Sequence, residues 1–245
     1  MNLIELLSTD FECAKQLITS LNPKGKTSIE TTPYPDLRPY EFKTNGVSLI
    51  HNNYERGAII KSVLYNESEK MTCYQIKEKD ESTTAYAISF NFSGCGMALF
   101  LYNNYYYATH ITTSSNPTAK NGKDTWKNFI EQNPNMECCF FLPHVIVKEN
   151  IEGENLFDFA NMELANIRST EPIGIIKISG SAIECFAGGH IQSTTYNGFC
   201  FWQISPRKGI DCANNWGEDD YNPVLCDFEK DIVITDRKPS GGCRC

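Results

Sequence analysis

Cys95 and His110 are the two residues of this chain whose types and spacing translate into a catalytic geometry. Between them lie two runs with strand character, Met97–Tyr102 and Tyr105–Thr112, joined by Asn103-Asn104. Asparagine tolerates positive φ better than other non-glycine residues, so the pair predicts a two-residue hairpin turn. With that turn, Tyr102 faces Tyr105, Phe100 faces Tyr107 and Met97 faces His110. Side chains alternate along a strand, so Cys95 shares a face with Met97 and therefore with His110. The two become diagonal cross-strand neighbours with Cβ atoms ~6–8 Å apart, close enough for a thiol and an imidazole to approach hydrogen-bonding distance. A three-residue turn would slip the register and send one of them to the opposite face.

The chemistry open to such a pair is acyl transfer at an amide. A thiolate is the attacking species, and an adjacent imidazolium favours it. Ser93-Gly94-Cys95-Gly96 interrupts an apolar stretch with two glycines, which lets the chain bend and a substrate approach the backbone closely. Backbone amides around Ser93, Gly94 and Cys95 are then the expected oxyanion donors. The competing reading makes Cys95 a small hydrophobe at a bend and His110 a polar residue on a half-buried strand. Of the other histidines, His51 reads as a surface residue at a strand end and His144 as a core or edge residue after Pro143. His190, after Gly188-Gly189, reads as a cleft residue and the alternative partner of Cys95. Cys212, Cys226, Cys243 and Cys245 lack a CxxC pair, and the Cys243-Arg244-Cys245 step chelates poorly, so no metal is expected.

The elements that hold these residues are short strands with a few helices. A helix is predicted over Thr9–Leu21, with Thr9 and Glu12 as a capping box, and another over Asp124–Gln132. Thr31–Pro39, with three prolines, is expected to be extended. Val47–His51, Ala58–Leu64, Cys73–Lys77, Ala85–Phe92, Phe140–Val147 and Ile173–Ile178 read as strands, with a helix around Leu156–Ile167. In Ala85–Phe92, bulky Tyr86, Ile88, Phe90 and Phe92 alternate with Ala85, Ala87, Ser89 and Asn91, which marks one bulky buried face and one close-packed or functional face. From Ala182 to Ile234 short strands alternate with glycine and asparagine turns, and Gly188-Gly189-His190 and Trp216–Asp220 read as loops. The expected fold is α+β, with a mixed or mainly antiparallel, sandwich-like sheet flanked by helices. Residues 1–40 would form an N-terminal helix and Pro-rich segment, and residues 41–245 one catalytic domain.

Composition narrows the function. The formal charge is −8 and no Lys/Arg cluster is present, so a nucleic-acid partner is not expected. No run approaches the ~18 apolar residues of a membrane span. Aromatic content (14 Phe, 12 Tyr, 3 Trp) excludes disorder as the main theme. The N-terminal stretch has no basic lead and carries acids within and after its apolar run, unlike a signal peptide. The 11 cysteines are then expected to be reduced and largely buried.

Phe92-Ser93-Gly94-Cys95, followed by a strand, a short turn and a strand ending at His110, resembles the SGC-motif glutamine deamidases. These include the catalytic domain of the cytotoxic necrotizing factors, the Burkholderia lethal factor and the chemoreceptor deamidases. The resemblance spans Ser82–Ile111, and Phe92 stands where the family usually has leucine. It implies that Cys95 attacks a glutamine side-chain amide, that His110 is base and acid, and that water releases glutamate from a thioester, with no cofactor or metal. Some members orient the histidine with a threonine six positions before the cysteine; Ser89 occupies that position and keeps a hydroxyl. Others use a backbone carbonyl. The resemblance further implies a bacterial toxin or effector that acts in a host cytoplasm; a monomer made without a signal peptide and exported by a dedicated system is expected. Its substrate would be a regulatory protein such as a small GTPase or a translation factor. Proteolysis and transglutamination share the acyl-enzyme and stay open, as does a non-enzymatic, sheet-rich binding protein with a tyrosine-rich surface.

Overall fold

Asn2 opens the first helix. Its side chain accepts the Glu5 N–H at 2.9 Å, and the Glu5 carboxylate accepts the Asn2 N–H at 3.3 Å, so two donors left over at a helix start are satisfied. In the computed structural model, which describes residues 1–23, 34–51, 55, 57–113, 121–152, 168–192, 197–214, 216 and 221–226, this helix is α1 (Leu3–Thr9). Thr9 is therefore the last residue of α1 and not a cap, with its hydroxyl on the Glu5 carbonyl at 2.8 Å. Asp10, whose carboxylate accepts the Cys13 N–H at 3.0 Å, caps α2 (Phe11–Leu21) instead. Pro35–Tyr40, expected to be extended, forms a short 3₁₀ helix, with proline supplying the φ that its first turn needs.

The strands follow as β1 (Phe42–Thr44), β2 (Gly46–His51), β3 (Ala58–Val63), β4 (Met71–Glu78), β5 (Ala85–Ser89), β6 (Gly96–Tyr102) and β7 (Tyr105–Ile111). Then come α3 (Lys123–Gln132), β8 (Cys138–Phe141), α4 (Pro143–Glu152), β9 (Arg168–Ser179) and β10 (Ala182–Gln192). The order ends with β11 (Asn197–Ile204), β12 (Arg207–Lys208), α5 (Asp211–Asn214) and β13 (Val224–Leu225). Phe140–Val147 is thus not one strand. Proline cannot donate to a ladder, and Pro143 ends the strand run and starts α4, whose Val145, Ile146 and Val147 remain buried. Gly188-Gly189-His190 is not a loop but part of β10, opposite Phe201, Cys200 and Phe199 of β11. A Cβ on Gly188 would run into the Phe201 ring, so glycine serves packing there. Residues Leu156–Ile167 and Gly217–Asp220 lie outside the described residues.

The fold is α+β. One sheet has the order β1-β4-β7-β6-β8-β12 and the other β13-β11-β10-β9-β5-β3-β2. The β1/β4 and β3/β5 pairs are parallel and the remaining pairs antiparallel. The alternation in β5 divides two cores. Tyr86, Ile88 and Phe90 bury against Leu3, Ile4, Leu7, Ala14 and Leu21 of α1 and α2. Ala85 and Ala87 join the core that includes Met97, Leu99 and Ala108 of the other sheet. Small side chains on that face let the sheets approach. On the far side of the six-stranded sheet, Phe129 of α3 meets Phe42 and Phe100 edge-on at 5.2 and 5.0 Å. Each such fully buried ring contributes roughly 1.5–3 kcal/mol. Eight cysteines are free thiols among the described residues, seven of them buried, whereas Cys13 is disulfide-bonded, so the expectation of a wholly reduced chain fails there. Among the described residues no helix is long and apolar enough to cross a membrane.

Candidate active site

Asn103 (φ +47°) and Asn104 (φ +66°) both adopt the left-handed conformation that a two-residue hairpin turn demands. The β6/β7 register is the expected one: Tyr102 opposite Tyr105, Phe100 opposite Tyr107, Met97 opposite His110. Ser93, Gly94 and Cys95 fall just before β6, outside its ladder register, in a turn that begins with Asn91 at φ +65°. The two glycines have different reasons. Gly94 has φ +156°, and a Cβ on it would sit 3.2 Å from Thr113 Oγ1. Gly96 leaves room for the Phe140 ring.

His110, on β7 of one sheet, is reached by Ser89, at the end of β5 in the other. Ser89 Oγ lies 3.0 Å from His110 Nδ1 and 2.7 Å from the Val63 carbonyl oxygen. A carbonyl only accepts, so the single serine proton goes to Val63, and Ser89 Oγ must accept from Nδ1–H. The imidazole is thereby assigned the Nδ1–H tautomer, with a lone pair on Nε2. Nε2 is buried and has no hydrogen-bond partner among the described residues. The Phe92 ring stacks on the imidazole (centroids 4.3 Å, planes 11° apart), and the half-buried Tyr65 ring lies 5.0 Å away. Burial lowers the His110 pKa to about 3, so the ring is neutral at physiological pH.

Cys95 is 2% exposed and His110 0%. The Cys95 sulfur accepts the Thr113 N–H at 3.4 Å, and its S–H points to the Thr113 carbonyl at 3.9 Å. Burial raises the thiol pKa, and the Thr113 hydrogen bonds pull it partly back. The turn and the Met97–His110 register are as the sequence requires, but Cys95 lies before that ladder, and two expectations need correction. Cys95 bonds Thr113 and makes no hydrogen bond to His110 Nε2. Both groups rest neutral, not as thiolate and imidazolium, because each loses more from desolvation than its surroundings return. Both groups are thus covered in the resting structure.

The other candidates lie elsewhere. His190 Nε2 lies 2.6 Å from Asn197 Oδ1, and its ring packs against Phe11 and Phe199 on the α2 side of the seven-stranded sheet, away from Cys95. His144 is at the start of α4 and half-buried. Nothing is described of the His51 side chain. Cys212 of α5 packs with Cys138 and with Trp126 on the α3 side of the six-stranded sheet, and Cys226 packs on the α1/α2 side, while Cys243 and Cys245 lie outside the described residues. No group of three potential metal ligands is found among the described residues.

Tyr65, Phe92 and Thr113 are the contacts that sequence reasoning missed. Thr113 follows from the register, since Gly96 faces Ile111 and the next positions continue past it. Phe92, read as continuing the bulky face of Tyr86, Ile88 and Phe90, instead joins the core of Met97, because β5 ends at Ser89 and Asn91 turns the chain at φ +65°. Tyr65 depends on the parallel pairing of Val63 with Ser89, a non-local contact with no local signal. No protein-family model matches the chain, and no curated protein matches it.

Proposed function

We propose that this chain is a cofactor-independent protein deamidase, with Cys95 as nucleophile, His110 as base and acid, and Ser89 as the residue that positions the imidazole. The observation that carries this reading is the Val63–Ser89–His110 chain of hydrogen bonds, which assigns the proton to Nδ1 and leaves Nε2 as a buried base with no partner among the described residues. A histidine kept only for packing has no need of a fixed tautomer with its second nitrogen left bare, since such a nitrogen costs ~1–3 kcal/mol.

With substrate admitted, Nε2 takes the Cys95 proton as the sulfur attacks the carboxamide carbon of a glutamine or asparagine side chain. The negative charge passes to the amide oxygen, where backbone N–H groups at Gly94 and Cys95 receive it. The imidazolium returns the proton to the departing nitrogen, and ammonia leaves a thioester. Water, deprotonated by Nε2, then attacks the thioester and yields the carboxylate and the free thiol. The likeness to the SGC-motif deamidases supports a bacterial effector acting in a host cytoplasm on a switch protein, where one new charge breaks a required hydrogen bond.

A non-enzymatic binding protein is favoured by one observation, the burial of both groups. Incubation with a panel of small GTPases and translation factors, read by peptide mass mapping, separates the readings. A gain of about 1 Da at a single glutamine or asparagine, absent with Cys95→Ser, is expected. Cleavage or amine incorporation instead would reassign the acyl-enzyme to proteolysis or transglutamination. A gain that survives Cys95→Ser would remove Cys95 from the chemistry.

A further inference from the structure

The tip of the β6–β7 hairpin lies at the end of β6 opposite Cys95, about 20 Å away along the strand. A cleft of about 300 Å³ opens there, and four tyrosines line it: Tyr102, Tyr105 and Tyr107 from the hairpin, and Tyr34. Tyr34 meets Tyr107 edge-on at 4.9 Å and 79°, so the ring planes are set at an angle to each other. The Asp36 carboxylate forms part of the wall, and Asn103 at the hairpin turn holds it by donating to Oδ2 at 2.9 Å. One carboxylate accepts more than one hydrogen bond, so Asp36 keeps acceptor capacity for a ligand. It is the only charged residue among those described as lining the cleft. The Tyr105 hydroxyl donates to Glu78 at 2.6 Å, which fixes that ring and places a second carboxylate beside it. The four phenols have raised pKa values, with burial first among the causes for Tyr34, Tyr102 and Tyr107 and the Glu78 hydrogen bond for Tyr105, so all stay neutral.

We infer that this cleft binds an arginine side chain of a partner polypeptide. The faces of electron-rich rings attract cations, and a planar guanidinium stacks on a ring while its N–H fork meets a carboxylate. A lysine ammonium, compact and strongly hydrated, gains less from such a site. The formal charge of −8 adds long-range attraction for a basic segment. The inference goes beyond the Cys95 reading and does not depend on it.

The test uses the full chain with ring-labelled tyrosines, titrated with three short peptides that differ only in carrying arginine, lysine or citrulline. Saturable shifts in the Tyr34, Tyr102 and Tyr105 signals are expected, with the arginine peptide bound about five-fold or more tighter than the other two. Asp36→Asn and Tyr105→Leu are each expected to weaken it about three- to five-fold, while Tyr105→Phe, which keeps the ring, binds as the wild type. Cys95→Ser is expected to bind the arginine peptide unchanged, so this result and the deamidation result are read separately. Equal binding of citrulline would remove the role of charge, and equal binding of lysine would remove the selection of guanidinium. Shifts outside the cleft, or none, would overturn the site itself.

Discussion

Ser89 has one proton to give and two neighbours to serve, and that scarcity fixes the state of His110. Ser89→Ala removes the acceptor for Nδ1–H and leaves the Val63 carbonyl without its side-chain donor, at a cost of ~1–3 kcal/mol in a fully buried site. The imidazole is then free to take the other tautomer. Nitrogen-15 spectra should show an Nδ1–H form in the wild type and an Nε2–H or mixed form in Ser89→Ala, together with a fall in kcat of about 10²-fold. Ser89→Thr, which keeps the hydroxyl, should retain the wild-type tautomer. An unchanged tautomer in Ser89→Ala would detach Ser89 from the histidine.

At the level of elements, the hairpin decides whether the site exists. Asn103 and Asn104 both pay for a left-handed backbone, and glycine holds that conformation at lower cost. Asn104→Gly should therefore stabilise the protein by up to ~1 kcal/mol and Asn104→Val destabilise it by ~1–2 kcal/mol, as chemical denaturation would measure. One residue inserted between them should shift the register and abolish the Ser89–His110 bond while the strands survive. Much of this was readable in the sequence, because Asn-Asn between two apolar runs and the bulky/small alternation of β5 are local signals. The start of α4 is hidden because Phe140–Val147 is apolar apart from His144 and carries no period; Pro143 is the clue. The cap at Asp10 was misassigned to Thr9 because α1 directly precedes α2 with no loop between them. The meeting of Ser89 with His110 joins two sheets, and no local pattern specifies which sheets face each other. Its traces in the sequence are the small, hydroxyl-bearing face of β5 and the place of Ser89 six residues before Cys95, where the resemblance puts the residue that orients the histidine.

At the scale of the whole molecule, the site is built only when the two sheets pack, so its electrostatics report on folding. His110 titrates near 3 when folded against 6.5 unperturbed. The unfolded chain therefore binds a proton that the folded one refuses, and stability is full above pH 6.5 and declines as pH falls toward 3. The slope from this group reaches about 1.4 kcal/mol per pH unit. His110→Gln should flatten the fall in denaturation free energy over that window relative to the wild type; an unchanged slope would mean that the imidazole is protonated in the folded state. The same packing keeps Cys95 covered at rest, so reactivity must come from a group that fits the site and opens it. The most direct measurement is covalent labelling with a peptide carrying 6-diazo-5-oxo-norleucine, a glutamine analogue whose electrophilic carbon needs both an attacking thiol and a proton donor. One adduct on Cys95 is expected, absent in Cys95→Ser and slowed about 10²-fold or more in His110→Ala. Labelling spread over the other thiols, or a Cys95 adduct that forms as fast without His110, would contradict a Cys95–His110 centre.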